Sequence, residues 1–93
     1  MDRDALFMDE QSELFFYADP KKILRMVSRL NKVKKRRCLN DIYKVIGLPD
    51  MSYGDRISWR PNKKIRVIFE CVPKEFCDEE QIILVYFDNF DVI

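Results

Sequence analysis

The sequence predicts an α+β domain in which two N-terminal helices, one long and basic and one short, pack on a two- to three-stranded antiparallel sheet. Three observations carry this. Apolar residues recur at steps of three and four from Ile23 to Val33, which marks one buried stripe of a helix. Gly47 followed by Leu48 and Pro49 closes a second helical pattern. Beyond residue 56 the pattern changes to period-two alternation and then to an unbroken apolar run, both signatures of strands. With 93 residues, 47% of them hydrophobic, the chain suffices for one core and one domain over 1–93.

The elements follow in order. Residues 1–13 are acidic with scattered apolar side chains and read as an arm free to fray. Leu14 to Ala18 is an apolar block too short for periodicity to decide between strand and helical turn. Asp19 suits a helix N-cap and Pro20 the first helical position, where its missing N–H costs nothing. The stripe Ile23, Met26, Val27, Leu30 and Val33 then faces inward. A second helix starts at Asn40 as N-cap, buries Leu39, Ile42, Tyr43 and Ile46, and stops at Gly47 in a left-handed conformation. Ile57 to Trp59 is a short strand, and Pro61-Asn62 forms the centre of a type I turn. In the strand 65–72, Ile65, Val67, Phe69 and Cys71 share a face. Residues 73–81 are a charged connection. Ile82 to Phe87 is an apolar run of the kind found in strands covered on both faces.

Charge is segregated along this chain. Residues 20–72 hold fifteen bases and four acids, whereas 1–19 and 73–93 each hold one base and six acids. Between Lys21 and Arg37 there are nine bases and no acid. Mixed signs would solvate a helix face better, so the excess leaves three readings: a nucleic-acid backbone, an acidic protein surface or the chain's own acidic ends, and a plain solvated face. Bases late in the helix also complement the negative end of its dipole, a structural reason for Lys32 and Lys34 to Arg37. That reason does not reach Lys21 and Lys22, at the opposite end.

Several chemistries are excluded by composition. There is no histidine, hence no Ser-His or Cys-His pair and no His-containing zinc site. Cys38, Cys71 and Cys77 are odd in number, irregularly spaced and without a Cys-x-x-Cys pair. They read as free thiols of a cytoplasmic protein, Cys38 being the one with positive charge nearby. No apolar run spans a bilayer, and no signal peptide pattern opens the chain. Asp55 and Glu70 could converge as a carboxylate pair, but no other part of a catalytic site accompanies them. No cofactor, metal or small-molecule substrate is implied.

The segments Leu39-Asn40-Asp41-Ile42-Tyr43, Ile46-Gly47-Leu48-Pro49, Gly54-Asp55 and Trp59 resemble a family of small uncharacterised proteins from phages and conjugative elements of Gram-positive bacteria. The resemblance covers roughly residues 20–88 and departs from the family at Ser58, where a Gly usually precedes the Trp. It implies a mobile-element origin and carries no activity with it. From the charge segregation, the lack of catalytic parts and this resemblance together, the chain is expected to act by binding rather than catalysis, docking on a host protein as an accessory or counter-defence factor, for example as an anti-CRISPR-like inhibitor of a nuclease. The candidate contacts are Lys21, Lys22, Arg25, Arg29, Lys32, Lys35 and Arg36, with an acidic docking surface at Asp78, Glu79 and Glu80, extended by Asp88 and Asp91 if they form one strip. The alternative expectation is a nucleic-acid binder led by the basic segment 20–37. Tyr53, Trp59, Phe15, Phe16 and Tyr17 are the aromatics available for base stacking, against their simpler use in a small core.

Overall fold

A computed structural model of the chain describes residues 4–92. Strands β1 (Ala5–Asp9) and β2 (Phe15–Ala18) form a hairpin, followed by helix α1 (Pro20–Asn31), strand β3 (Arg37–Cys38) and helix α2 (Leu39–Ile46). Strands β4 (Ile57–Trp59), β5 (Arg66–Cys71), β6 (Ile82–Asp88) and β7 (Asp91–Val92) complete the chain, with one 3-10 turn at Lys74–Phe76. The main sheet has the order β2-β1-β6-β5, and β1 runs parallel to β6 while the other pairs are antiparallel. A second, antiparallel sheet has the order β3-β4-β7.

This corrects the expected architecture. The principal sheet is four-stranded and mixed, not a two- to three-stranded antiparallel one, and a hairpin precedes the helices. The reason is that β1 finds its partner at the far end of the chain, Leu6 opposite Ile82 and Asp9 opposite Val85. No local pattern encodes a pairing over that separation. Residues 5–9, expected as part of a fraying acidic arm, instead form an inner strand with Phe7 and Asp9 fully buried. Residues 1–3 of that arm lie outside the described residues. In the core, Oδ2 of Asp9 accepts from the Tyr43 hydroxyl and from the Ser12 N–H at 2.9 Å, while its buried Oδ1 has no hydrogen-bond partner among the described residues. Burial first, and then Asp9, hold the Tyr43 hydroxyl far above the usual tyrosine range.

Helix α1 starts as its sequence requires: the Asp19 carboxylate accepts the Lys21 N–H at 3.0 Å, with Pro20 in the first turn. It ends at Asn31, earlier than the basic run suggests. Only Arg29 lies in its last turn, so the dipole does not account for Lys34, Lys35 and Arg36. Val33, expected on the buried stripe, is exposed just beyond the helix. Helix α2 is capped at Cys38 rather than Asn40, and the Asp41 carboxylate accepts the Cys38 N–H at 2.8 Å. At its other end Gly47 takes φ 89°, and the Gly47 and Leu48 N–H groups both reach the Tyr43 carbonyl.

The core lies between one face of the main sheet and the two helices. Phe7, Val85 and Phe87 meet Ile23 and Val27 of α1, and Leu39, Ile42 and Tyr43 of α2. Trp59 is fully buried and donates its indole N–H to the Asp88 carbonyl at 2.8 Å, which joins the second sheet to β6. Among the described residues no helix is long and apolar enough to cross a membrane.

Candidate nucleic-acid interface

With Ile23 and Val27 turned into the core, the helical repeat of about 100° per residue sends Lys21, Lys22, Arg25, Arg29 and Lys32 to the opposite side. All five are exposed, within an arc of about 100°. Lys34, Lys35 and Arg36 continue the exposed basic surface along the segment after the helix. Arg36 is tethered, donating to the Ser58 hydroxyl at 2.7 Å.

A second basic segment meets the end of α1. Residues 60–66 contain Arg60, Lys63, Lys64 and Arg66 and no acid. Their turn closes through the Lys63 N–H on the Arg60 carbonyl at 2.9 Å, with Pro61 and Asn62 at its centre. Asn31 fixes this segment to the helix: its Oδ1 accepts the Ile65 N–H at 2.8 Å and its Nδ2 donates to the Ile65 carbonyl at 3.2 Å.

Arg37 completes the junction. It is 2% exposed, and its guanidinium donates to the carbonyls of Leu30, Lys35, Arg60 and Lys63 and to Asn31 Oδ1, at 2.5–3.4 Å. No carboxylate is among these acceptors; the charge is solvated by backbone dipoles, including a carbonyl at the C-terminal end of α1. Burial lowers its pKa, but the ordinary arginine value is high enough to keep it charged. Arg37 is therefore structural, and it is the one base of the run 21–37 that is buried.

Open grooves run along this junction. One of about 460 Å³ lies between Leu24 and Ser28 of α1 and the Ile65–Val67 stretch, rimmed by Lys32, Lys64 and Arg66. A neighbouring one is lined by Lys32, Lys34 and the 61–64 turn. Not every base here is available. Asp91 takes Arg60 at 3.2 Å and Lys63 at 2.9 Å, and Asp88 lies 3.8 Å from Arg66. The Lys63 hydrogen bond is the main cause that holds the Asp91 carboxyl below its usual range. None of these three ion pairs involves Lys21, Lys22, Arg25, Arg29, Lys32, Lys34, Lys35 or Lys64.

The structure thus joins the expected Lys32 to Lys34, Lys64 and Arg66, which the sequence reading did not select. The Arg60 to Arg66 run is visible in the sequence as four bases without an acid, yet nothing there places it against α1. The acids behave differently. Asp78, Glu79 and Glu80 gather with Leu6, Phe76 and Ile82 at another place, where Glu80 accepts the Tyr17 hydroxyl at 2.6 Å. Asp88 and Asp91 pair with the bases named above and do not extend that cluster into an acidic strip. Of the five aromatics, none lines the basic grooves. Trp59 is in the core, Phe16 packs against it, and the Tyr53 hydroxyl bonds to the Gln11 carbonyl.

Comparison with protein-family models, curated proteins and solved structures finds no match.

Chemistry elsewhere is sparse. Asp55 accepts from Asn40 Nδ2 at 3.1 Å and from the Cys38 thiol, while Glu70 is exposed on β5, and the two are not brought together. No group of acids and cysteines among the described residues has the arrangement of a metal site. Cys38 does not have the electropositive setting its sequence neighbours suggest. Burial, with the hydrogen bond to Asp55 adding to it, pushes its thiol up to about 11. Iodoacetamide at pH 7.5 is therefore expected to label exposed Cys71 well before Cys38, with Cys38 gaining only as pH rises towards 11. Peptide mapping by mass spectrometry reads this, and equal labelling rates would contradict the assigned environment.

Proposed function

We propose that this protein binds nucleic acid through its phosphate backbone, with the outer stripe of α1 and the 60–66 turn as the contact surface. One observation carries the reading. Bases from two separate segments converge on shared grooves: Asp91 and Asp88 engage Arg60, Lys63 and Arg66 of the turn, while Lys64 and the helix stripe take part in none of these pairs. A surface of this kind neutralises phosphates and releases their counterions. The absence of aromatics from the grooves speaks for backbone contacts over base stacking, and so for binding with little sequence preference. Lys21, Lys22, Arg25, Arg29 and Lys32 form the stripe, and Lys34, Lys35 and Lys64 supply charge at the junction. Arg36 and Arg37 hold the two segments in place.

The test is titration of a labelled duplex by fluorescence anisotropy over a series of salt concentrations. Binding should be measurable at low salt and weaken steeply as salt rises. The triple change Arg25→Ala, Arg29→Ala and Lys32→Ala should reduce the log–log salt slope by roughly 2–3, since each phosphate contact to B-DNA contributes about 0.9. The same loss for unrelated duplex sequences is expected. Failure of the parent protein to bind DNA or RNA at low salt would sink the reading, as would a triple variant with an unchanged slope.

A further inference from the structure

Arg60 and Lys63 belong to the same basic turn as Lys64, yet one carboxylate holds both. Asp91 Oδ2 accepts the Arg60 backbone N–H at 3.4 Å and lies 3.2 Å from Arg60 Nε, while its Oδ1 takes the Lys63 ammonium at 2.9 Å. The turn is arranged for an anion. Its Arg60 and Lys63 carbonyl oxygens, which would repel one, are turned to the Arg37 guanidinium. Two cations and a backbone N–H are left to converge on the carboxylate, and this is the donor set that phosphate oxygens also accept.

Strand pairing puts the carboxylate in place. Asp91 of β7 lies opposite Ser58 of β4, and Arg60, two residues beyond Ser58, is its diagonal neighbour. The 60–63 turn then brings Lys63 round to the other carboxylate oxygen. The hold is slight. Strand β7 has two residues and lies at the edge of its sheet. All three side chains reach solvent, with Arg60 64%, Lys63 28% and Asp91 25% exposed. Ion pairs in such a setting are weak net of solvation, so a competing anion can take them over.

We infer, building on the nucleic-acid reading above, that the Arg60–Lys63 turn is a phosphate-binding site which Asp91 fills in the free protein, as a built-in competitor of the nucleic-acid backbone. The exchange is ion for ion. One phosphodiester charge replaces one carboxylate charge on Arg60 and Lys63, and the Asp91 side chain turns to solvent. An open groove of about 480 Å³ beside Arg60, Pro61, Asn62 and Lys63 gives the incoming group room. Lys63 also borders the groove that Lys32 and Lys34 line, so a phosphate on the turn continues the row along the helix stripe. Asp91 thereby keeps affinity lower, and its salt dependence shallower, than the exposed bases allow.

Fluorescence anisotropy of a labelled duplex over a salt series tests this on the parent and on Asp91→Asn, with circular dichroism to verify the fold. Freeing two bases should steepen the log–log salt slope by roughly 1–2. Affinity at low salt should rise about five- to tenfold. Asp91→Glu, which keeps a carboxylate beside both bases, should stay near the parent. In a chain already carrying Arg60→Gln and Lys63→Gln, Asp91→Asn should have no effect, whereas the general benefit of removing a negative charge would persist there. A parent that binds while Asp91→Asn leaves the slope unchanged overturns the competitor and leaves nucleic-acid binding standing. A gain that survives the loss of Arg60 and Lys63 does the same. If neither protein binds duplex or single strand, the functional reading falls. Titration of Asp91→Asn with inorganic phosphate, followed at the Arg60 amide by nuclear magnetic resonance, then decides the anion site. A saturable shift at millimolar phosphate that Lys63→Gln abolishes upholds the site, and a flat titration overturns it.

Discussion

Arg37→Ala is expected to lower the unfolding free energy by about 3 kcal/mol, from the loss of charge-assisted hydrogen bonds worth about 1.5–3 kcal/mol each, offset by release of a desolvated guanidinium. For a domain of this size that is a fall in thermal midpoint of roughly 10–20 °C. Five acceptors on four parts of the chain lose their donor: the end of α1, the segment after it, and the two sides of the 60–63 turn. Arg37→Lys should recover only part of the loss. An ammonium is a single point with three donors and cannot span acceptors spread around a planar fork. Urea denaturation followed by circular dichroism measures both variants. An alanine variant within about 0.5 kcal/mol of the parent, the range of an ordinary surface change, would mean that the guanidinium is not the tie described. At temperatures where Arg37→Lys remains folded, nucleic-acid affinity should fall too, since the turn carrying Lys64 is no longer held against the helix.

The second large effect is expected at Gly54. A Cβ there would sit 2.1 Å from Asn40 Oδ1 and 2.4 Å from its Cγ. Asn40 cannot step aside cheaply. It is buried, its Oδ1 accepts the Met51 N–H at 2.8 Å, and its Nδ2 donates to the Met51 carbonyl and to Asp55 Oδ1, each at 3.1 Å. Gly54→Ala should therefore cost about 2–4 kcal/mol through overpacking and broken hydrogen bonds. The glycine is needed for close approach and not for a left-handed backbone. Asn40→Ala should cost about 2 kcal/mol by leaving the loop groups unpaired. The double variant should cost clearly less than the sum, because the alanine methyl then enters the vacated space. Additive losses in the denaturation cycle would refute the contact as the cause.

The Asn40–Gly54 clamp also shows the limit of local reading. Asn40 has the chemistry of an N-cap, and a sequence pattern places it there. In the fold Cys38 takes that position, and the Asn40 amide is recruited by a loop eleven residues later. Arg37 teaches the same lesson. In the run Lys34-Lys35-Arg36-Arg37 nothing local distinguishes the last base from its neighbours. Its burial depends on carbonyls supplied by residues 60 and 63, which no periodicity links to it. Cys38 likewise looks electropositive beside two arginines, yet in space its N–H bonds to the Asp41 carboxylate and its thiol to that of Asp55.

What the chain determines by itself are the features set by neighbours one turn or one residue away. These are the start of α1 at Asp19-Pro20, its apolar stripe from Ile23 to Leu30, the stop at Gly47, the turn at Pro61-Asn62, the strand character of β5 and β6, and the exposed placement of Lys21, Lys22, Arg25 and Arg29. Capping, helical repeat and backbone preference are short-range forces, so they are legible in order along the sequence. The tertiary structure alone decided the parallel insertion of β1 beside β6 and the union of the 60–66 turn with the end of α1. It also decided the separation of Asp88 and Asp91 from Asp78 to Glu80. Each of these depends on contacts between segments far apart in sequence, whose partners are chosen by packing and charge in three dimensions.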